Sequence, residues 1–175
     1  MTVLETPRLI VRRLEANDAA FILELLNEPS WIENIGDRDI HSPDDARRYL
    51  DNGPLAMYLE RGFGLYLVAL KSTLDPVGIC GLIKRETLAD VDLGFALLER
   101  YWGHGYAFEA ASAVMAYEPK VIGLSRVVAI ATPSNHRSVS LLEKLGFHFD
   151  RMVYWMNPTP GSRLFVLESH ASLPD

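Results

Sequence analysis

Apolar and polar residues alternate through Arg8, Leu9, Ile10, Val11, Arg12, Arg13 and Leu14, a period of two that predicts a first strand. The period then lengthens. Asn17 or Asp18 caps a helix whose apolar stripe is Phe21, Ile22, Leu25 and Leu26, with Pro29 as its stop. After a loop around Gly36, Ser42 reads as an N-cap and Pro43 as the first residue of a short helix reaching Tyr49 or Leu50, with another around Leu55 to Leu59. From Phe63 onward strand patterns return at Gly64–Leu70, Val77–Lys84 and Asp92–Leu97, separated by polar turns. A helix from about Gly105 to Tyr117, closed by Pro119, precedes the continuous apolar run Arg126–Ala131, which reads as a strand covered on both faces. A last helix, Asn135–Leu145, carries Val139, Leu142 and Leu145 on one stripe and ends at Gly146. Phe147–Trp155 and Arg163–Leu167 complete the chain as a hairpin.

Strands joined by short turns pair antiparallel, whereas strand, helix, strand gives a parallel neighbour. The order therefore predicts an α+β domain with one mixed, mostly antiparallel sheet, a central parallel strand pair, and helices on both faces. At 175 residues and 49% hydrophobic content, the chain suits one core and one domain spanning residues 1–175.

Charge and cysteine content narrow the function classes. A net charge of −6 without a Lys/Arg run argues against nucleic acid or an anionic membrane as partner. The single cysteine, Cys80, lies in the apolar run Val77–Ile83 and permits no intrachain disulfide. No basic leader with an apolar segment follows Met1, and no apolar stretch is long enough to span a bilayer, so a cytoplasmic location is expected. The five histidines are scattered, which implies no metal.

The most informative stretch is Trp102, Gly103, His104, Gly105, Tyr106 and Ala107, between the strand ending near Leu98 and an alanine-rich helix. Gly103 and Gly105 can take positive φ, and they hold no Cβ against a ligand. Successive amides can then converge on an anion at the positive end of the helix dipole. A diphosphate suits that cradle, and ligands of open sheets bind beyond such strand ends.

This loop resembles the Gln/Arg-x-x-Gly-x-Gly/Ala coenzyme motif of the GNAT superfamily of N-acetyltransferases. The continuation Tyr106, Ala107, Phe108, Glu109, Ala110, the series Asn135, Ser138, Glu143, Lys144, Gly146, Phe147, and the opening Thr6, Pro7, Arg8, Leu9 resemble its RimJ/RimL branch. Trp102 departs from the pattern, standing where the family has Gln or Arg, and removes one side-chain donor. Arg100 also fits an Arg-x-x-Gly-x-Gly register, but Ala107 and Glu109 favour the later one.

The resemblance implies a sheet splayed at its parallel pair, acetyl-CoA as cosubstrate, and pantetheine laid along the opened edge at Phe95, Ala96 and Leu97. It places Asn135 on pantetheine, although Asn135 or Ser134 also suits the helix cap. It aligns Ser138 with a serine that protonates the departing thiolate; a serine in a first helical turn is otherwise ordinary. Asp92 is the candidate general base, acting through water, with a solvated strand-end carboxylate as the alternative; Glu33 is a weaker candidate. Glu109 suits loop amides and the helix dipole, and His104, exposed between glycines, suits phosphate contact better than catalysis. Trp31, Tyr49, Phe63 and Tyr66 serve either an acceptor pocket or the core. The expected activity is acetyl transfer to a primary amine, on a protein N-terminus or a small molecule, by direct attack in a ternary complex. The alternative is a CoA-binding module with little catalysis, and the chain is expected to be a monomer or homodimer. Cys80, buried and without a base, disfavours an acetyl-cysteine route.

Overall fold

The computed structural model describes residues 1–154 and 161–168. Its strands are β1 (Thr2–Glu5), β2 (Leu9–Arg13), β3 (Leu65–Leu70), β4 (Pro76–Ile83), β5 (Asp92–Leu97), β6 (Arg126–Ala131), β7 (His148–Val153) and β8 (Ser162–Glu168). They form one sheet in the order β1-β2-β3-β4-β5-β6-β8-β7. Every neighbouring pair is antiparallel except β5 and β6. The helices are α1 (Ala19–Leu26), α2 (Pro29–Asn34), α3 (Pro43–Leu50), α4 (Ala56–Arg61), α5 (Tyr106–Val121) and α6 (His136–Lys144).

Alternating side chains send two cores to opposite faces of the sheet. On one face, Leu9, Val11, Tyr66, Cys80, Leu93 and Val127 pack against Ala110, Ala111 and Val114 of α5. On the other, Leu67, Ala69 and Ile79 pack against Ile22, Leu25 and Leu50 of α1 and α3. Ala110 and Ala111 are fully covered, since small side chains let α5 lie close to the strands.

Several local expectations hold. Ser42 caps α3 through a reciprocal capping box with Asp45, and Pro43 takes the first helical position. Gly146, at φ 94°, ends α6 in a Schellman arrangement: Phe147 N–H donates to the Leu142 carbonyl and Gly146 N–H to that of Glu143.

Other boundaries move. Thr2–Glu5, for which no strand was expected, forms an edge strand because β2 supplies its partner. Pro29 opens α2 at its N1 position, after α1 has ended at Asn27. Pro119 sits inside α5, which runs on to Val121; its missing amide costs one bond in a last turn that Ile122 and Leu124 close through the Glu118 and Pro119 carbonyls. The expected strand end at Trp155 lies outside the described residues.

Candidate active site

The parallel pair makes a wedge. Among the described residues β5 and β6 share one register pair, Asp92 with Val128, backed by Val128 N–H donating to the Val91 carbonyl at 2.9 Å. Beyond that vertex the strands part. Gly94, Phe95 and Ala96 are only half-buried although they lie mid-sheet, while all but the ends of β4 are buried.

Backbone direction alternates along β5, so the hydrogen bonds at its ends tell which groups face the opening. The Val91 carbonyl points to β6, whereas Leu98 N–H points back to Val77 at the start of β4. With a regular β4–β5 register between them, Phe95 and Leu97 turn their backbone groups to the wedge and Ala96 turns its own into β4. The expected run of three edge residues is thereby corrected: Ala96 offers only its methyl, on the α1/α3 face.

At the open end of the wedge the chain turns through Glu99–Tyr101 into the glycine loop. Gly103 and Gly105 adopt φ 78° and 80°, a left-handed conformation that L side chains rarely enter. The amides of Gly103, His104 and Gly105 have no acceptor among the described residues. They therefore remain available beside the first turn of α5 at Tyr106 and Ala107.

Side chains from distant segments hold this loop. Arg8 Nη1 donates to the His104 carbonyl at 2.9 Å. Carbonyl and amide point oppositely across one peptide, so this bond turns Gly105 N–H away from Arg8. Glu109 fixes Arg8 in turn, accepting from its Nε at 2.6 Å, its amide at 3.0 Å and the Thr6 hydroxyl at 2.6 Å. Burial works to raise the Glu109 pKa, but the hydrogen bonds from Thr6 and Arg8 together hold it below the usual carboxylate value. Its partners are thus the N-terminal segment rather than the expected loop amides. His104 is folded back, with Nδ1 2.8 Å from the Trp102 carbonyl and its ring stacked on Tyr106. Arg100 pairs with Glu24 of α1.

Trp102 is tied to the wedge. Its Nε1 donates to the Leu97 carbonyl at 2.9 Å, and the Arg137 guanidinium of α6 lies 4.7 Å above its ring. Nearby, Asn135 caps α6 by accepting from Ser138 N–H at 3.1 Å, so the side-chain oxygen serves the helix while the amide hydrogens remain. Ser138 is half-buried in that first turn.

Asp92 stands at the vertex but differs from the open, water-linked base expected for it. Its carboxylate is fully covered and receives Arg85 Nε at 2.9 and 3.1 Å. Burial raises its pKa against the charge and hydrogen bonds of Arg85. Both carboxylate oxygens are thus engaged by Arg85.

The remaining candidates separate by face. Trp31 packs in the α1/α3 core with Nε1 unpartnered among the described residues, and Phe63 and Tyr66 lie in the α5 core. Tyr49 is half-buried and lines a cleft of about 520 Å³ with Arg38, Arg48 and Asn52. Glu33 is exposed on α2. Burial drives the Cys80 thiol pKa upward, which leaves little thiolate for an acyl-cysteine step. Among the described residues no helix is long and apolar enough to cross a membrane, and no cluster of His, Cys, Asp and Glu is placed to hold a metal.

A sheet split at its parallel pair, with a glycine turn opening α5 at the split, is the arrangement of an acyltransferase of the GNAT type. The profile of the acetyltransferase (GNAT) domain matches residues 8–148, and the chain belongs to that family. Its enzyme class is N-acetyltransferase. It is 28% identical to Bacillus subtilis YkkB over 90% of this chain and 92% of that protein. It is also 27% identical to the Bacillus subtilis N-acetyltransferase YoaA over 90% and 91%. The fold matches an Agrobacterium tumefaciens acetyltransferase with TM-score 0.80 and 24% identity, over 95% of this chain and 94% of that one. It also matches RimL, an L7/L12 alpha-N-protein acetyltransferase solved with coenzyme A, with TM-score 0.83 and 14% identity over 98% and 99%.

Proposed function

We propose that this enzyme transfers the acetyl group of acetyl-CoA to a primary amine, of a protein N-terminus or a small molecule, by direct attack within a ternary complex. The supporting observation is the coincidence at one opening of two sets of backbone groups without a backbone partner, of which only the Leu97 carbonyl is engaged, by Trp102 Nε1. The glycine-loop amides lie at the mouth of the wedge, and the Phe95 and Leu97 edge lines its side. Bound there, acetyl-CoA supplies an activated acyl thioester.

The amides of Gly103 to Ala107 take the diphosphate, helped by the positive end of α5. Phe95 and Leu97 pair with pantetheine as a neighbouring strand would, and Asn135 adds its free amide hydrogens from across the wedge. Ser138, one turn into α6, donates a proton to the departing sulfur. The acceptor enters from the α1/α3 face, where Tyr49 lines a cleft with Arg38, Arg48 and Asn52.

Asp92 is assigned as a positioning residue that holds Arg85 at the closed end of the wedge. The acceptor ammonium gives one proton to solvent before attack, and the second, lost from nitrogen as the tetrahedral intermediate collapses, replaces the one Ser138 gives to sulfur, so the acid limb of the rate follows the pKa of the amine itself. Thiol release with a panel of N-terminal peptides and small amines tests the activity. Under this assignment Asp92→Asn lowers kcat, leaves the CoA Kd nearly unchanged and keeps the acid limb of the pH–rate profile. Loss of that limb would return Asp92 to the role of base. No thiol release with any amine, despite measurable CoA binding, would overturn the transferase reading.

A further inference from the structure

We propose that Arg137 of α6 is a ligand for a phosphate oxygen of the coenzyme, replacing the side-chain donor that Trp102 removes from the glycine loop. The proposal rests on the placement of acetyl-CoA argued above.

Trp102 follows β5 and Arg137 opens the helix after β6, so their contact bridges the mouth between the two diverging strands. The guanidinium carbon lies 4.7 Å from the indole centroid. A guanidinium stacked by its face keeps its N–H donors directed outward from its rim. Arg137 is exposed and has no ion pair or hydrogen bond among the described residues.

The arginines beside the loop are held by acidic partners, and Lys144 lies elsewhere on the helix. Arg8 is held by Glu109 and the His104 carbonyl, and Arg100 by Glu24. Lys144, at the far end of α6, lies over Phe108. In a chain of net charge −6, an anionic coenzyme gains more from one local, pre-positioned cation than from the overall field. Trp102 is itself held by its bond to the Leu97 carbonyl, so the ring is a fixed platform for Arg137. The two residues thus divide the task of one Gln or Arg: Trp102 fixes the place and Arg137 brings the charge.

Calorimetric titration of the folded enzyme with CoA and with 3′-dephospho-CoA tests this, using Arg137→Gln and Arg137→Lys. Arg137→Gln is expected to raise the Kd for CoA about tenfold with little change in thermal midpoint, and Arg137→Lys to recover most of that loss. If the 3′-phosphate is the partner, the parent loses the same factor on 3′-dephospho-CoA and Arg137→Gln adds nothing further. If the diphosphate is the partner, Arg137→Gln weakens both ligands equally. Arg137→Gln binding CoA as tightly as the parent overturns the assignment of Arg137 while leaving the coenzyme site standing. A parent enzyme that does not bind CoA overturns the placement itself.

Discussion

Removing the Glu109 carboxylate by Glu109→Ala should both destabilise the protein and loosen its glycine loop. The carboxylate joins three donors on a segment more than one hundred residues away in sequence: Thr6 Oγ at 2.6 Å, Arg8 N at 3.0 Å and Arg8 Nε at 2.6 Å. Each of the first two is a charge-assisted bond worth roughly 1.5 kcal/mol net at a partly covered site. The Arg8 side chain is half-exposed, so solvent screening limits its ion pair to about 0.5 kcal/mol. The expected loss is therefore about 3.5 kcal/mol, read as a lower urea midpoint with unchanged slope. Glu109→Gln keeps an acceptor for Thr6 and the Arg8 amide but turns an NH2 toward Arg8 Nε, and should lose about half as much.

The pH dependence gives an independent sign. A carboxylate whose pKa is lowered by folding contributes stability above its unfolded pKa of about 4.3, and loses it as pH falls toward the folded value. Parent and Glu109→Ala should therefore converge in acid. Freed from Glu109, Arg8 no longer pins the His104 carbonyl, so the CoA Kd should rise about tenfold in the same variant by loss of preorganisation. A Glu109→Ala protein within 0.5 kcal/mol of the parent, roughly the effect of an ordinary surface change, would refute the clamp.

Gly105→Val should cost about 1–2 kcal/mol, since a β-branched residue is forced to φ 80° and its Cβ would stand 3.4 Å from Arg8 Nη2; CoA binding by calorimetry should weaken with it. Glu118 of α5 is buried, takes the Tyr66 hydroxyl on Oε1 and has Oε2 unpartnered among the described residues. Burial raises its pKa against that hydrogen bond and the charge of Arg13, so the stability it contributes is present below about pH 4.3 and lost as pH rises through its folded value. Glu118→Gln should therefore have the higher urea midpoint near about pH 8, with the gap closing in acid; a parent more stable near pH 8 would contradict this.

The contrast between Asp92 and Asn135 shows where sequence reading stops. Asn135 before an amphipathic run signals a helix cap, because a cap bonds to an amide three residues away and the whole interaction lies within local sequence. The strand periods, the Ser42 cap and the glycine turn before α5 are equally local, and the structure keeps them. Asp92 was placed at the right end of β5, but its burial depends on Arg85 after β4 and on the β6 pairing at Val128, neither of which its neighbours announce. Arg137 over Trp102 and Glu109 with Arg8 are likewise meetings of segments joined only by the folded sheet.

The amino-acid order by itself determined most of the strands and longer helices, their alternation and the glycine turn before α5, because backbone propensity, capping and apolar period act over a few residues. Tertiary structure alone decided how wide β5 and β6 part, which β5 amides face the gap, and which charged side chains are already committed. Those outcomes depend on strand direction and on distances between remote segments, and no local pattern encodes them.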